Sequence, residues 1–337
     1  MRSVQVSGWG GLGVIACLLA GIAGCDNGGS AAMSEPQVRA ADLCVSSECG
    51  ERTVLLDIPS AENLLFSDDG RLFVSSGEGV LEIKQAGDGS YSTHPISPDC
   101  GSALGLAIRH GVLYAVCSGQ RLFAGKLTAE PVLQQVFEFV GMCIPNGMTD
   151  GPDGNLYVVD EPLNACVPDP KIVRLNVDPE DPLHILGQET WLQGSPLGQL
   201  ALGLDNVLRF PNGLQRSGNR FYGTDGGSVY AVDWLPGGGA DDVIPLYFTV
   251  TAHDDLGIVS DGLLVADFLE GRIVLLSREG ELLQQTDRLL FSFPSSVRLG
   301  RPPMFAPDDV VVTETGVLTD NSLPLDHLSV FRRKAGH

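Results

Sequence analysis

One pattern returns six times along the chain: a turn followed at once by a short apolar strand. It reads DDGRLFVSS (68–76), RHGVLYAVC (109–117), PDGNLYVVD (152–160), RSGNRFYGTD (216–225), SDGLLVAD (260–267) and PDDVVVTE (307–314). The leading apolar residues, Leu72, Leu113, Leu156, Phe221, Leu263 and Val310, are 41, 43, 65, 42 and 47 residues apart. Four of the five intervals share one period, and the long one contains an insertion. A second strand type follows each of these (GVLEIKQ, RLFAGKLT, KIVRLNVD, SVYAVDW, GRIVLLSREG, HLSVFRR), and a third type follows the first five. After HLSVFRR the chain ends, so RTVLLDI (52–58) is expected to supply the missing strand from the N-terminal side. About 40 residues per repeat, nearly all strand, is the signature of a propeller blade. The expectation is an all-β, six-bladed β-propeller over residues 52–333, closed by that borrowed strand, with 334–337 as a tail. Within residues 178–207 an extended loop is expected, in which GSPLGQLALGL could form a short helix or lid.

Ahead of the repeats, LGVIACLLAGIAG is too short to cross a bilayer and has the layout of an export signal over residues 1–24. The small residues before Cys25 resemble the lipobox of bacterial lipoproteins, which implies lipidation of Cys25. Residues 25–51 then read as a flexible tether. The chain is thus expected outside the cytoplasm, at the periplasmic side or the cell surface, held to a bacterial membrane by its lipid anchor alone. With 42 acidic against 21 basic side chains, it is a poor partner for nucleic acid or an anionic lipid surface. The six cysteines beyond Cys25 read as disulfides in an exported chain. The repeat register favours Cys100–Cys117 and Cys143–Cys166, which leaves Cys44–Cys49.

The first strand of each propeller blade lines the central channel. Just ahead of it the six blades present Glu62, Leu104, Asn146, Asn212, Asp254 and Ser295 or Ser296. PNG, at 145–147 and again at 211–213, is a tight-turn sequence, so either asparagine could be present for turn geometry alone. Two carboxylates and two amides in one register suit a hard divalent cation better, calcium above all, with Mn²⁺, Mg²⁺ or Zn²⁺ as alternatives. Glu62, Asn146, Asn212 and Asp254 are the expected ligands.

ENLLFSDDGRLFV, PNGMTDGPDGNLYVVD, PNGLQRSGNRFYGTD and HDDLGIVSDGLLVAD together resemble the senescence-marker-protein/gluconolactonase (regucalcin-like) family. The resemblance runs from about residue 52 to 333. It implies a six-bladed propeller with a divalent metal at the channel mouth and lactone-hydrolysing activity. It also implies Glu62, Asn212 and Asp254 as metal ligands, with Asn146 binding metal or substrate. Two departures stand out. The aspartate turn is His253-Asp254-Asp255 where the family has P-D-G, and Ile144 occupies the place of an arginine found in members acting on sugar-acid lactones. A small-molecule lactone or ester is the expected substrate, with Asp254 or Asp255 as general base and His253 as a possible assistant. Asp160, Asp225 and Asp267, each ending a second strand, read as structural. The competing expectation is a non-catalytic propeller lipoprotein that binds a protein or glycan.

Overall fold

The computed structural model describes residues 37–162, 169–195, 206–316 and 325–336. Among the described residues twenty-four strands form six four-stranded antiparallel sheets, five of them built from strands consecutive in sequence; in chain order they are blade 1 (64–95), blade 2 (103–138), blade 3 (144–193), blade 4 (211–248), blade 5 (253–285) and blade 6 (294–333). In the sixth, Pro294–Leu299, Val310–Glu314 and His327–Arg333 are joined by Gly50–Asp57, which pairs with His327–Arg333 as the outermost strand. The N-terminal strand therefore closes the ring, two residues earlier than the sequence suggests.

Second and third strands of the blades are apolar on both faces, because each blade packs against two neighbours. Six hydrophobic clusters mark the six seams. Phe73 and Leu106 meet between blades 1 and 2, Tyr157 and Phe221 between 3 and 4, and Leu64 and Val311 between 6 and 1. Buried runs such as Val112–Cys117 and Gly262–Asp267 are the local result.

Both PNG stretches lie inside innermost strands, Ile144–Asp150 and Pro211–Ser217, and are not turns. Pairing skips from Pro145 to Met148 and from Pro211 to Leu214, so each Asn-Gly is a β-bulge. Similar skips occur at Ala103/Leu106, His253/Leu256 and Pro294/Ser296. Neither Asn146 nor Gly147 has positive φ. The glycine serves close approach instead: a Cβ on Gly105 would stand 2.1 Å from the Asn146 carbonyl oxygen, and one on Gly147 2.2 Å from that of Asn212. Blade 4 has Gly213 at the same position, and blade 5 has Asp255.

The later residues of the expected tether are bound to the propeller. Residues 37–49 pack on the propeller through Ala40, Leu43, Cys44 and Val45, all buried in the seam of blades 5 and 6. The Ala40 amide donates to Asp261 at 2.6 Å and the Val45 amide to Gln284 at 2.9 Å. Lys334, expected in the tail, donates its backbone N–H to the Cys49 carbonyl and its Nζ to that of Ser47. Cys44–Cys49 and Cys100–Cys117 are disulfides. Cys143 is disulfide-bonded too, and its expected partner Cys166 lies outside the described residues. So do the expected signal, the expected lipidation site Cys25, residues 26–36 and most of GSPLGQLALGL.

Candidate active site

Bulges in blades 3, 4 and 5, with the segment just ahead of Leu64–Phe66 in blade 1, bring side chains from four blades to one mouth of the channel. The Asn146 Nδ2 donates to Asn212 Oδ1 at 3.2 Å. Asp254 is close enough to Asn212 and Glu62 to feel both, Asn212 favouring its charged form and the Glu62 charge opposing it. Hydroxyls from neighbouring blades fix these positions. Thr224 Oγ1 accepts from the Gly213 amide at 2.8 Å and donates to the Asp254 carbonyl. Thr313 and Ser295 both donate to the Glu62 carbonyl, at 2.6 and 2.8 Å. All four expected ligands are thus gathered in one pit. Leu104 holds the equivalent place in blade 2 and brings no donor.

A fifth residue, Glu161, escaped the sequence reading. It ends the second strand of blade 3, directly opposite Ile144. Its Oε2 accepts from Asn146 Nδ2 at 3.0 Å and its Oε1 from Asn212 Nδ2 at 3.4 Å. By engaging both amide nitrogens, Glu161 fixes which way the two amides face. The signal was available: Glu161 follows the structural Asp160, in the same register as Thr315 behind Glu314. Thr315 Oγ1 donates to Glu62 Oε2 at 3.2 Å, so this register also reaches the pit.

Three carboxyl groups in one buried place oppose one another's ionisation. Burial, reinforced by the Glu161 charge, pushes Glu62 up to about 7 against the pull of Thr315. Burial likewise pushes Glu161 up to about 7, opposed by the Asn146 hydrogen bond. Asp254 is raised well above the carboxylate range by burial and then by the charges of Glu62, Glu161 and Asp255. Two buried oxygens, Asn146 Oδ1 and Asp254 Oδ1, have no hydrogen-bond partner. Among the described residues no three of His, Cys, Asp and Glu form a metal cluster unaided. A cation here needs the amide oxygens as well. Such a donor set, all hard oxygen and rich in negative charge, fits calcium.

Asp255 does not have the freedom of a general base. Ser296 donates to its Oδ2 at 2.8 Å and Arg298 at 2.7 Å, which holds that oxygen between blades 5 and 6, while its Oδ1 is buried without a hydrogen-bond partner. His253 is buried against Tyr247 and Asp267, with Thr249 at 3.3 Å from its Nε2. Desolvation, partly offset by the Asp267 charge, lowers it to about 4, so it is neutral and holds the blade together. The structural aspartates do what the sequence suggests. Asp160 accepts the Cys143 and Ile144 amides, Asp225 those of Arg209 and Phe210, and Asp267 the Thr251 hydroxyl. A cavity of about 510 Å³ lies at the opposite mouth, lined by Thr149, Arg216 and Arg298 among others. Arg298 also reaches Asp255, so the salt bridge stands between that cavity and the pit.

No protein-family model matches the chain, and no curated protein matches it. Solved structures share its fold. A gluconolactonase from Xanthomonas campestris superposes with a TM-score of 0.61 at 16% identity, over 90% of this chain and 96% of that one. A calcium-binding protein, regucalcin, from Agrobacterium tumefaciens gives 0.58 at 16% identity over 83% and 92%. A luciferin-regenerating enzyme gives 0.61 at 16% identity over 85% and 95%. At this identity the likeness is one of fold.

Proposed function

We propose that the chain is a divalent-metal-dependent hydrolase of lactones or related esters. One observation carries the reading: Glu62, Glu161 and Asp254 meet Asn146 and Asn212 in a pit where two buried oxygens lack partners. Glu62, Asn146, Asn212 and Asp254 would hold the ion, which polarises the substrate carbonyl and acidifies water when bound. Glu161 orients both amides by accepting from their nitrogens. Asp254 takes the proton as the water oxygen bonds to the carbonyl carbon. The ring C–O bond then breaks and the departing alkoxide takes up that proton, which leaves a hydroxy acid. Asp255 acts as a positioning residue through its bond to Arg298. The gluconolactonase with the same fold supports the substrate class. The regucalcin described as calcium-binding supports the ion.

The same proposal places the protein outside the cytoplasm, anchored through Cys25. Its disulfides Cys44–Cys49 and Cys100–Cys117 favour an oxidising compartment.

The test is a panel of lactones and aryl esters assayed with Ca²⁺, Mn²⁺, Mg²⁺ or Zn²⁺, alongside calorimetric titration of the ion. Wild type is expected to hydrolyse part of the panel in a metal-dependent way. Asp254→Ala is expected to lose both hydrolysis and ion binding. A wild type inert on the whole panel with every ion would refute the reading and leave a propeller that binds a protein or glycan.

A further inference from the structure

At the mouth that holds the pit, each second strand ends opposite the start of its innermost strand. Ile144 faces Glu161 in blade 3, Ala252 faces Phe268 in blade 5, and Phe293 faces Thr315 in blade 6. Glu161 and Thr315 touch Asn146 and Glu62, so this register forms the lip of the pit. Phe268 shares the register of those two residues. Phe210, immediately before Pro211, shares that of Ile144 and Phe293.

Four bulky apolar side chains are thus set on the lip over blades 3 to 6: Ile144, Phe210, Phe268 and Phe293. All four are half-buried, and none belongs to any of the six seam clusters. Phe268 and Phe293 lean on each other, with ring centroids 5.1 Å apart at 51°. Farther out, Val250, Leu289 and Val140 are 94%, 80% and 76% exposed. Among the described residues these are the most exposed large apolar side chains. Each lies in a connection leading into an innermost strand at this same mouth. Single exposed apolar residues need no explanation, but a group set at the same mouth as a polar pit marks a binding surface.

We infer that the pit takes lactones or esters bearing an apolar group, an aliphatic chain or an aromatic ring seated on Phe268 and Phe293, in preference to polyhydroxylated lactones. The inference rests on the hydrolase reading above. A hydroxylated ring laid against Ile144, Phe268 and Phe293 would lose its water without gaining hydrogen bonds. An alkyl chain there leaves water for hydrocarbon, and its reacting carbonyl still reaches the polar floor of the pit.

The test uses the full chain with calcium and γ-lactones carrying alkyl substituents from methyl to octyl, against a polyhydroxylated lactone of the same ring size. Over the first several carbons, kcat/KM is expected to rise about three- to fourfold per methylene. Phe268→Ser and Phe293→Ser each flatten that slope, while Val54→Ser on the outermost strand of blade 6 keeps it. Calorimetric binding of the corresponding hydroxyalkanoates reads recognition of the chain without turnover. Faster hydrolysis of the polyhydroxylated lactone, or no dependence on chain length in either measurement, overturns the inference and leaves the hydrolase reading standing. Chain-length-dependent binding without any hydrolysis supports the apolar lip and sinks the hydrolase reading instead. Binding to phosphatidylcholine vesicles that the serine variants lose, with a flat chain-length series, assigns the lip to a membrane surface and overturns the inference.

Discussion

Arg298→Met tests whether Asp255 is a structural ion or a catalytic base. The Asp255 side chain is 1% exposed and the Arg298 side chain 11%, with Nη2 and Oδ2 2.7 Å apart. Removing the arginine strands a buried carboxylate, which costs about 3–5 kcal/mol in comparable cases. Asp255→Asn strands the arginine instead, and there the outcome differs. Arg298 lines the cavity at the opposite mouth and keeps its bonds to the Leu256 and Val297 carbonyls, so water and backbone can take over. Its cost should be smaller, about 1–3 kcal/mol. The double variant should be more stable than Arg298→Met alone, because no charge is left unpaired. Guanidinium denaturation at pH 7 with an unchanged m-value measures all three. Arg298→Met within about 0.5 kcal/mol of wild type, or Asp255→Asn as the costlier change, would refute the argument. Folded Asp255→Asn should still hydrolyse lactone. If it is inactive at wild-type stability, Asp255 returns to the role of base.

Two further outcomes follow from the pit and the bulges. Glu62 and Glu161 are raised from 4.5 to about 7, so folding favours their protonated forms; that stabilisation is complete below about pH 4.5 and is lost as pH rises through 7. Melting temperature in EDTA should fall across this window and calcium should restore most of the fall, whereas a calcium shift of equal size at pH 4.5 and 7.5 would contradict it. Gly147→Ala would force a Cβ against the Asn212 carbonyl oxygen at 2.2 Å and the Leu214 amide at 2.8 Å. It should cost about 1–3 kcal/mol or more in denaturation, against little for Gly187→Ala, which meets nothing within 4 Å.

The blade repeat was legible because each unit carries its own turn and its own doubly buried strands, both readable locally. The PNG stretches misled for a local reason as well. Asn-Gly favours a turn in an isolated peptide, and only the backbone of the next blade shows why glycine is needed in extended geometry. Glu161 went unread because its role depends on contact with Asn146 and Asn212 from another strand and another blade. Asp255 shows the mirror-image difficulty. Beside Asp254 it looks like a second acid, but the partners that occupy it, Ser296 and Arg298, lie about 40 residues away. Residues 38–45 looked like a linker by composition. Four buried apolar side chains, Ala40, Leu43, Cys44 and Val45, and two side-chain acceptors on blade 5 dock them.

The bulge is what separates the two jobs that the innermost strand must do. It inserts a pair of residues between paired positions, one serving the pit and the other meeting the adjacent blade. In Leu104-Gly105, Asn146-Gly147 and Asn212-Gly213 the second member is glycine, because the neighbouring backbone leaves no room for a Cβ. Asp254-Asp255 breaks the pattern where the neighbour is Ser295-Ser296, and there the carboxylate is taken up by Ser296 and Arg298. The first member is under no such constraint, and across the blades it is leucine, asparagine or aspartate. Fold and site are therefore encoded in adjacent residues but by different physics: close packing fixes one, and the demand for oxygen donors fixes the other. A pit of this kind can change its chemistry one blade at a time without loosening the ring.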